Sequence, residues 1–141
     1  MSVRAAKGKQ AGKTSLVSNE VSNGGAGVVA PVNELRLVGR LGAPAEVKEL
    51  PSGDELVTWR LVVDRPRGTR RLPEGARPAT VDTLDCVGWS AAIKRSSQSW
   101  TAGDVLEVQG ALRRRFYRAG AGVASRYEVE ATVVRRVARA G

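Results

Sequence analysis

The chain has 141 residues, with 23 lysines and arginines against 14 acidic residues, no histidine and one cysteine, for a net charge of +9. That length suits one domain, and the excess of positive charge suits an acidic partner such as nucleic acid or an anionic surface. A lone Cys86 excludes an internal disulfide; without histidine there is no zinc-ligand set and no Ser-His or Cys-His nucleophile pair.

Residues 1–32 are rich in Ser, Gly, Ala, Asn and Lys and show no sustained period, which predicts a flexible basic arm. Within it, "GKQAGKTS" invites a phosphate-loop reading, but Gly8 and Gly12 enclose three residues where the loop needs about four. No apolar strand precedes it and no periodic helix follows. "GVVAPV" is too short for a signal-peptide core. No apolar run approaches the roughly 18 residues of a membrane span, so a cytoplasmic protein with no membrane contact is expected.

From Asn33 the period becomes two. In "NELRLVGRL", Leu35, Leu37 and Leu41 fall on one face, with Glu34, Arg36 and Arg40 on the other, as in a half-buried strand. "LPSGDE" reads as a turn. "ELVTWRLVV" follows as a second strand, in which Val57, Trp59, Leu61 and Val63 share a core-facing side. Residues 64–80 form a long basic loop. "VDTLDCVGW" is a third strand, with Leu84 and Cys86 inward and Trp89 outward. A short helix over "SAAIKRSSQSW" places Ala92, Ile93, Ser96 and Trp100 on one face. "VLEVQGALRRRFY" is the fourth strand. The fifth, "RYEVEATVVRRV", is read with Tyr127, Val129, Ala131 and Val133 inward.

Five strands with one short helix between the third and fourth is the plan of an all-β, five-stranded OB-fold barrel. An SH3-like barrel or a small sandwich also fits the pattern. The expected organisation is an arm over 1–32, a barrel over 33–137 and a short end at 138–141.

Several stretches resemble the bacterial single-stranded DNA-binding protein family. They are Asn33, "LVGRL" at 37–41, "AEVKELPSG" at 45–53, "TWRLVVDRPR" at 58–67, "DCVGW" at 85–89, "AGDVLEVQGALRRRFY" at 102–117 and "RYEVEATVV" at 126–134. The resemblance covers essentially the whole expected barrel, in order. It implies an OB-fold that takes no cofactor and no metal and catalyses no reaction. It also implies assembly as a homotetramer, or a dimer, on single-stranded DNA during replication, recombination or repair. The sequence departs from the family on the third strand, at Thr83 and Asp85. It also ends on "VVRRVARAG" without an acidic run, so recruitment of replication proteins through an acidic tail is not expected.

Alternation along the fourth strand sends Arg113, Arg115 and Tyr117 to one face, as a strip that tracks phosphates and stacks bases. Leu112 and Phe116 are expected to help fill the barrel, with Arg114 where the strand leaves it. By resemblance, Trp89 and Tyr117 are the stacking aromatics. The loop arginines Arg65, Arg67, Arg70, Arg71 and Arg77 are the general phosphate contacts, because a planar guanidinium can grip phosphate through two bonds. Cys86 reads as a small buried hydrophobe. The alternatives are an OB-fold protein-interaction subunit, such as a primosomal component, and a nuclease. The nuclease would have to use Asp64, Asp82, Asp85 and Asp104, which no metal-binding spacing links.

Overall fold

Strand β1 (Leu35–Leu41) alternates as its sequence predicts, with Leu41 buried, Leu35 and Leu37 packed on the core, and Arg36 and Arg40 outward. The computed structural model describes residues 27–68 and 71–141. The expected arm therefore lies, up to residue 26, outside the described residues, as do Thr69 and Arg70 of the basic loop. Residues Asn33–Gly141 make one unit.

The first strand of the barrel comes in two pieces. β1 stops at Leu41 and the chain resumes as β2 (Glu46–Glu49), which pairs with β3 (Glu55–Asp64). β1 itself pairs along its length with β5 (Val105–Ala119) and, at Arg40 and Leu41, also with β3. The crossing from one partner to the other leaves no room at Gly39, where a Cβ would stand 2.4 Å from the Val62 carbonyl oxygen.

The turn from β2 into β3 is tied by two Leu50–Asp54 and Gly53–Leu50 backbone hydrogen bonds of 2.8 Å, with Gly53 at φ 94°. β3 then pairs antiparallel with β4 (Val81–Gly88), and β4 pairs parallel with β6 (Gly122–Ala138), which runs antiparallel to β5. The strand order β1-β5-β6-β4-β3-β2, with the extra β1–β3 pairing, closes a five-stranded barrel when β1 and β2 count as one bent strand. This is the OB-fold.

Between β4 and β5, helix α1 (Ala91–Ser97) is capped by the Ser90 hydroxyl, which accepts from the Ile93 amide at 3.1 Å. It turns Ile93 and Ser97 inward, whereas Ala92 and Ser96, expected on the inner face, stay exposed. Trp100 packs edge-on against Trp59, with ring centroids 5.2 Å apart. Around this pair, Val57, Leu61, Leu106 and Val108 are fully buried, and Cys86 sits among them as expected.

Two expectations about the strands also fail, each for a geometric reason. Tyr127 and Val133 are exposed, although Val129 and Ala131 between them are buried. Gln109 pairs with Val133 but Gly110 with Ala131, so Thr132 is an extra residue on β6 and the alternation changes phase there. Val134, not Val133, packs on the core. Gly110 allows the bulge: a Cβ there would fall 2.0 Å from the Glu130 carbonyl oxygen. The second failure is Phe116 with Leu112. β5 and β6, at 15 and 17 residues, outrun the 8-residue β4 and leave the barrel as a hairpin. Phe116 is consequently 65% exposed and fills no core. Tyr127 has the inward phase but stands on the same overhanging segment.

Candidate nucleic-acid interface

The overhanging hairpin and the β3–β4 wall frame a groove. One hollow, of about 450 Å³, is lined by Leu50, Leu56, Trp89, Arg115, Tyr117, Arg126 and Glu128. A second, of about 290 Å³, shares Arg126 and Glu128 with it and continues over Lys48, Thr58, Arg60 and Asp85 to Pro44. The fold therefore brings together three residues that sequence reasoning singled out: Trp89 from the end of β4, and Arg115 and Tyr117 from β5. Trp89 is 36% exposed and Tyr117 49%, so each presents ring surface to solvent.

The cations of this face come with counter-charges. Arg113 donates from Nε to Glu130 at 2.6 Å, and Arg115 from Nε to Glu128 at 2.9 Å. Arg126, opposite Arg115 in the β5–β6 register, lies 3.7 Å from Glu128. The hydrogen-bonded carboxylates fix the Arg113 and Arg115 guanidinium groups, while the remaining N–H groups of each fork stay able to donate. Lys48 and Arg126 are groove cations that sequence reasoning missed. Strand alternation around buried Val129 puts Arg126 and Glu128 on the outer face, but only the register with β5 shows that they meet Arg115.

The loop arginines are placed differently. Arg65 donates to one Asp82 oxygen from both Nε and Nη2, at 3.0 and 2.7 Å, and this hydrogen bond and charge hold the Asp82 carboxyl below the usual carboxylate range. Arg67, Arg71 and Arg77 are exposed and have no acidic partner among the described residues. Arg70 lies outside those residues. Neither hollow is lined by a loop arginine.

The four aspartates of the nuclease alternative are dispersed among separate partners. Asp64 binds Arg40, Asp82 binds Arg65, and Asp85 binds Arg60, its register partner on β3, at 3.3 Å. Asp104 is buried and accepts from the amides of Thr101 and Ala140 at 2.8 and 2.7 Å and from Arg136 at 3.3 Å. Those two backbone hydrogen bonds, with Arg136, hold its carboxyl below the usual range. Among the described residues no three metal-ligating side chains gather. The negative charge that Asp85 brings to this wall, where the sequence departs from the family, is offset by the Arg60 guanidinium. The Cys86 thiol is pushed up to about 12 by burial, and then by the charges of Asp85 and Glu128. It is no nucleophile at neutral pH.

A small closed barrel, with an aromatic- and arginine-lined groove over its second and third strands, defines a nucleic-acid-binding OB-fold. The profile of the single-strand binding protein family matches residues 32–137, and the chain belongs to that family, whose members bind rather than catalyse. Among solved structures it is similar to a chain titled "Plasmodium falciparum SSB complex with ssDNA", at 22% identity and a TM-score of 0.60, covering 72% of this chain and 88% of that one. No curated protein matches the sequence. Among the described residues no helix is long and apolar enough to cross a membrane.

Proposed function

We infer that the protein binds single-stranded DNA without sequence preference, laying the strand along the groove with bases stacked on Trp89 and Tyr117. The observation that carries this reading is the convergence of those two rings, from β4 and β5, on one hollow edged by Arg115 and Arg126. Stacking on an aromatic ring is worth about 1–3 kcal/mol per base, and every base has a π-face, so the interaction ignores sequence. Arg113, Arg115 and Arg126 meet phosphates through the donors their glutamates leave open. Arg65, Arg67, Arg70, Arg71 and Arg77 supply the more diffuse attraction of the loop. The similar solved protein is in complex with single-stranded DNA by its title, which supports the same class of ligand here. Membership of the family supports the further reading that the protein works as a homotetramer or dimer in the cytoplasm, in replication, recombination or repair.

The direct test is fluorescence anisotropy of labelled oligo-dT and oligo-rU at low and high salt. Binding that weakens with salt by about 0.7 log units per neutralised phosphate is expected. One observation favours a second reading: Arg65, Arg113 and Arg115 already have carboxylate partners, as suits an OB-fold subunit that docks on protein and not DNA. Absence of oligo-dT binding at low salt would decide for that reading.

A further inference from the structure

The β5–β6 hairpin has two faces, and the groove uses one. Directly paired residues of antiparallel strands project to the same side. Arg113, Arg115 and Tyr117 therefore share the groove face with Glu128, Arg126 and Ala124. Arg114, Phe116 and Arg118 share the reverse face with Tyr127, Ser125 and Val123.

The two faces differ in charge chemistry. Every groove-face arginine of the hairpin has a carboxylate within 4.0 Å. The reverse-face segment has no acidic residue at all. Arg114 donates to the Ser125 hydroxyl at 3.2 Å, and its guanidinium lies 4.9 Å from the Phe116 ring centroid and 5.6 Å from that of Tyr127. Arg118 has no acidic partner among the described residues. Phe116 is 65% exposed and Tyr127 60%, so both rings are open to solvent beside cations that have no acidic partner among the described residues.

We propose that this reverse face is a second contact strip for single-stranded nucleic acid. Bases stack on Phe116 and Tyr127 and phosphates meet Arg114 and Arg118, so that a bound strand crosses the hairpin edge from the groove to its back. The proposal rests on the single-strand-binding reading above. A polyanion is the occupant whose charge complements the strip. A second copy of the same face would set Arg114 and Arg118 against their equivalents with no counter-charge between them, which is costly on desolvation.

The test uses the full chain and labelled oligo-dT of about 16 nucleotides, the upper reach of one OB-fold. Three variants are compared with the native protein: Phe116→Ala/Tyr127→Ala, Arg114→Gln, and the groove pair Trp89→Ala/Tyr117→Ala. The substituted reverse-face side chains, Arg114, Phe116 and Tyr127, are all exposed, and thermal unfolding checks that the fold is intact. The strip predicts at least about fivefold weaker binding for Phe116→Ala/Tyr127→Ala, the loss of a single stack at the low end. It predicts a salt slope shallower by about 0.7 for Arg114→Gln, and an unchanged native mass for both. Native affinity and slope in both reverse-face variants, with binding lost in the groove pair, overturns the strip and leaves the single-strand-binding reading standing. A change in native mass without a change in affinity assigns the face to self-association and overturns it too. If the native protein fails to bind oligo-dT, both readings fall together.

Discussion

Replacing Glu128 by glutamine should tighten DNA binding. The Glu128 side chain is only 11% exposed, lines both hollows of the groove, accepts from Arg115 at 2.9 Å and lies 3.7 Å from Arg126. In Glu128→Gln the amide oxygen can still accept from Arg115, so the guanidinium keeps its place while the groove gains one unit of positive charge. A unit charge about 4 Å from a phosphate contributes about 1 kcal/mol in water, close to a fivefold gain at low salt. One more phosphate neutralised steepens the salt slope by about 0.7, so affinity falls about 2.6-fold further between about 50 and about 200 mM salt. The fold should survive, since the glutamine amide keeps the Arg115 hydrogen bond and both arginines are well exposed. The assay is oligo-dT anisotropy across a salt series. Weaker binding, or a slope no steeper than native, would refute the idea that Arg115 and Arg126 face phosphate.

Other perturbations test the scaffold. Leu61→Ala empties a fully buried site beside Trp59 and Leu106 and should cost about 2–5 kcal/mol in urea unfolding, with a lowered midpoint. The Asp104 carboxyl is held below its ordinary value, chiefly by the amides of Thr101 and Ala140. At Glu107, burial pushes the carboxyl up, but hydrogen bonds from Arg135 and Arg36 outweigh it and leave it lowered. Depressed carboxyls add stability above the unfolded carboxylate range of about pH 4 and lose it as pH falls through the folded values. Asp104→Asn should accordingly lower the Tm at neutral pH and flatten the acid limb of a Tm-versus-pH curve. Cys86, buried and pushed up to about 12, should resist iodoacetamide in the native protein and react once the protein is unfolded in denaturant.

The barrel was legible in the sequence wherever period-two alternation spans a strand with one buried face. Val57, Trp59 and Leu61 on β3, and Leu35, Leu37 and Leu41 on β1, declare their sides without help from neighbours. Alternation carries no information about where a barrel ends. Phe116 and Tyr127 have the inward phase, yet the strands that would cover them have already stopped, and strand length relative to a partner is a property of the sheet. The bulge at Thr132 was hidden for a related reason: an extra residue opposite Gly110 is defined by pairing, and no local residue pattern marks it.

Within the candidate site, Trp89 and Tyr117 could be picked out because their positions resemble those of a known family. Their arrival at one hollow, though, depends on β4 and β6 pairing in parallel. What the sequence concealed most fully was the charge balance. Arg113, Arg115 and Arg65 read as a run of bare cations, whereas Glu130, Glu128 and Asp82, 17, 13 and 17 residues away, are set beside them by the strand register. Arg114, expected where the strand leaves the barrel, faces away from those carboxylates and donates to the Ser125 hydroxyl.

The measurement that bears most directly on the single-strand-binding account is a tryptophan-fluorescence titration with oligo-dT, run on native protein and on Trp89→Phe. Trp59 and Trp100 are buried at 5% and 8% exposure, which leaves Trp89 as the indole that a stacked base can reach. The account predicts quenching in the native protein and its loss in the variant, while anisotropy still reports a bound strand. Oligo-dT that binds without quenching, or quenching that persists without Trp89, would contradict it.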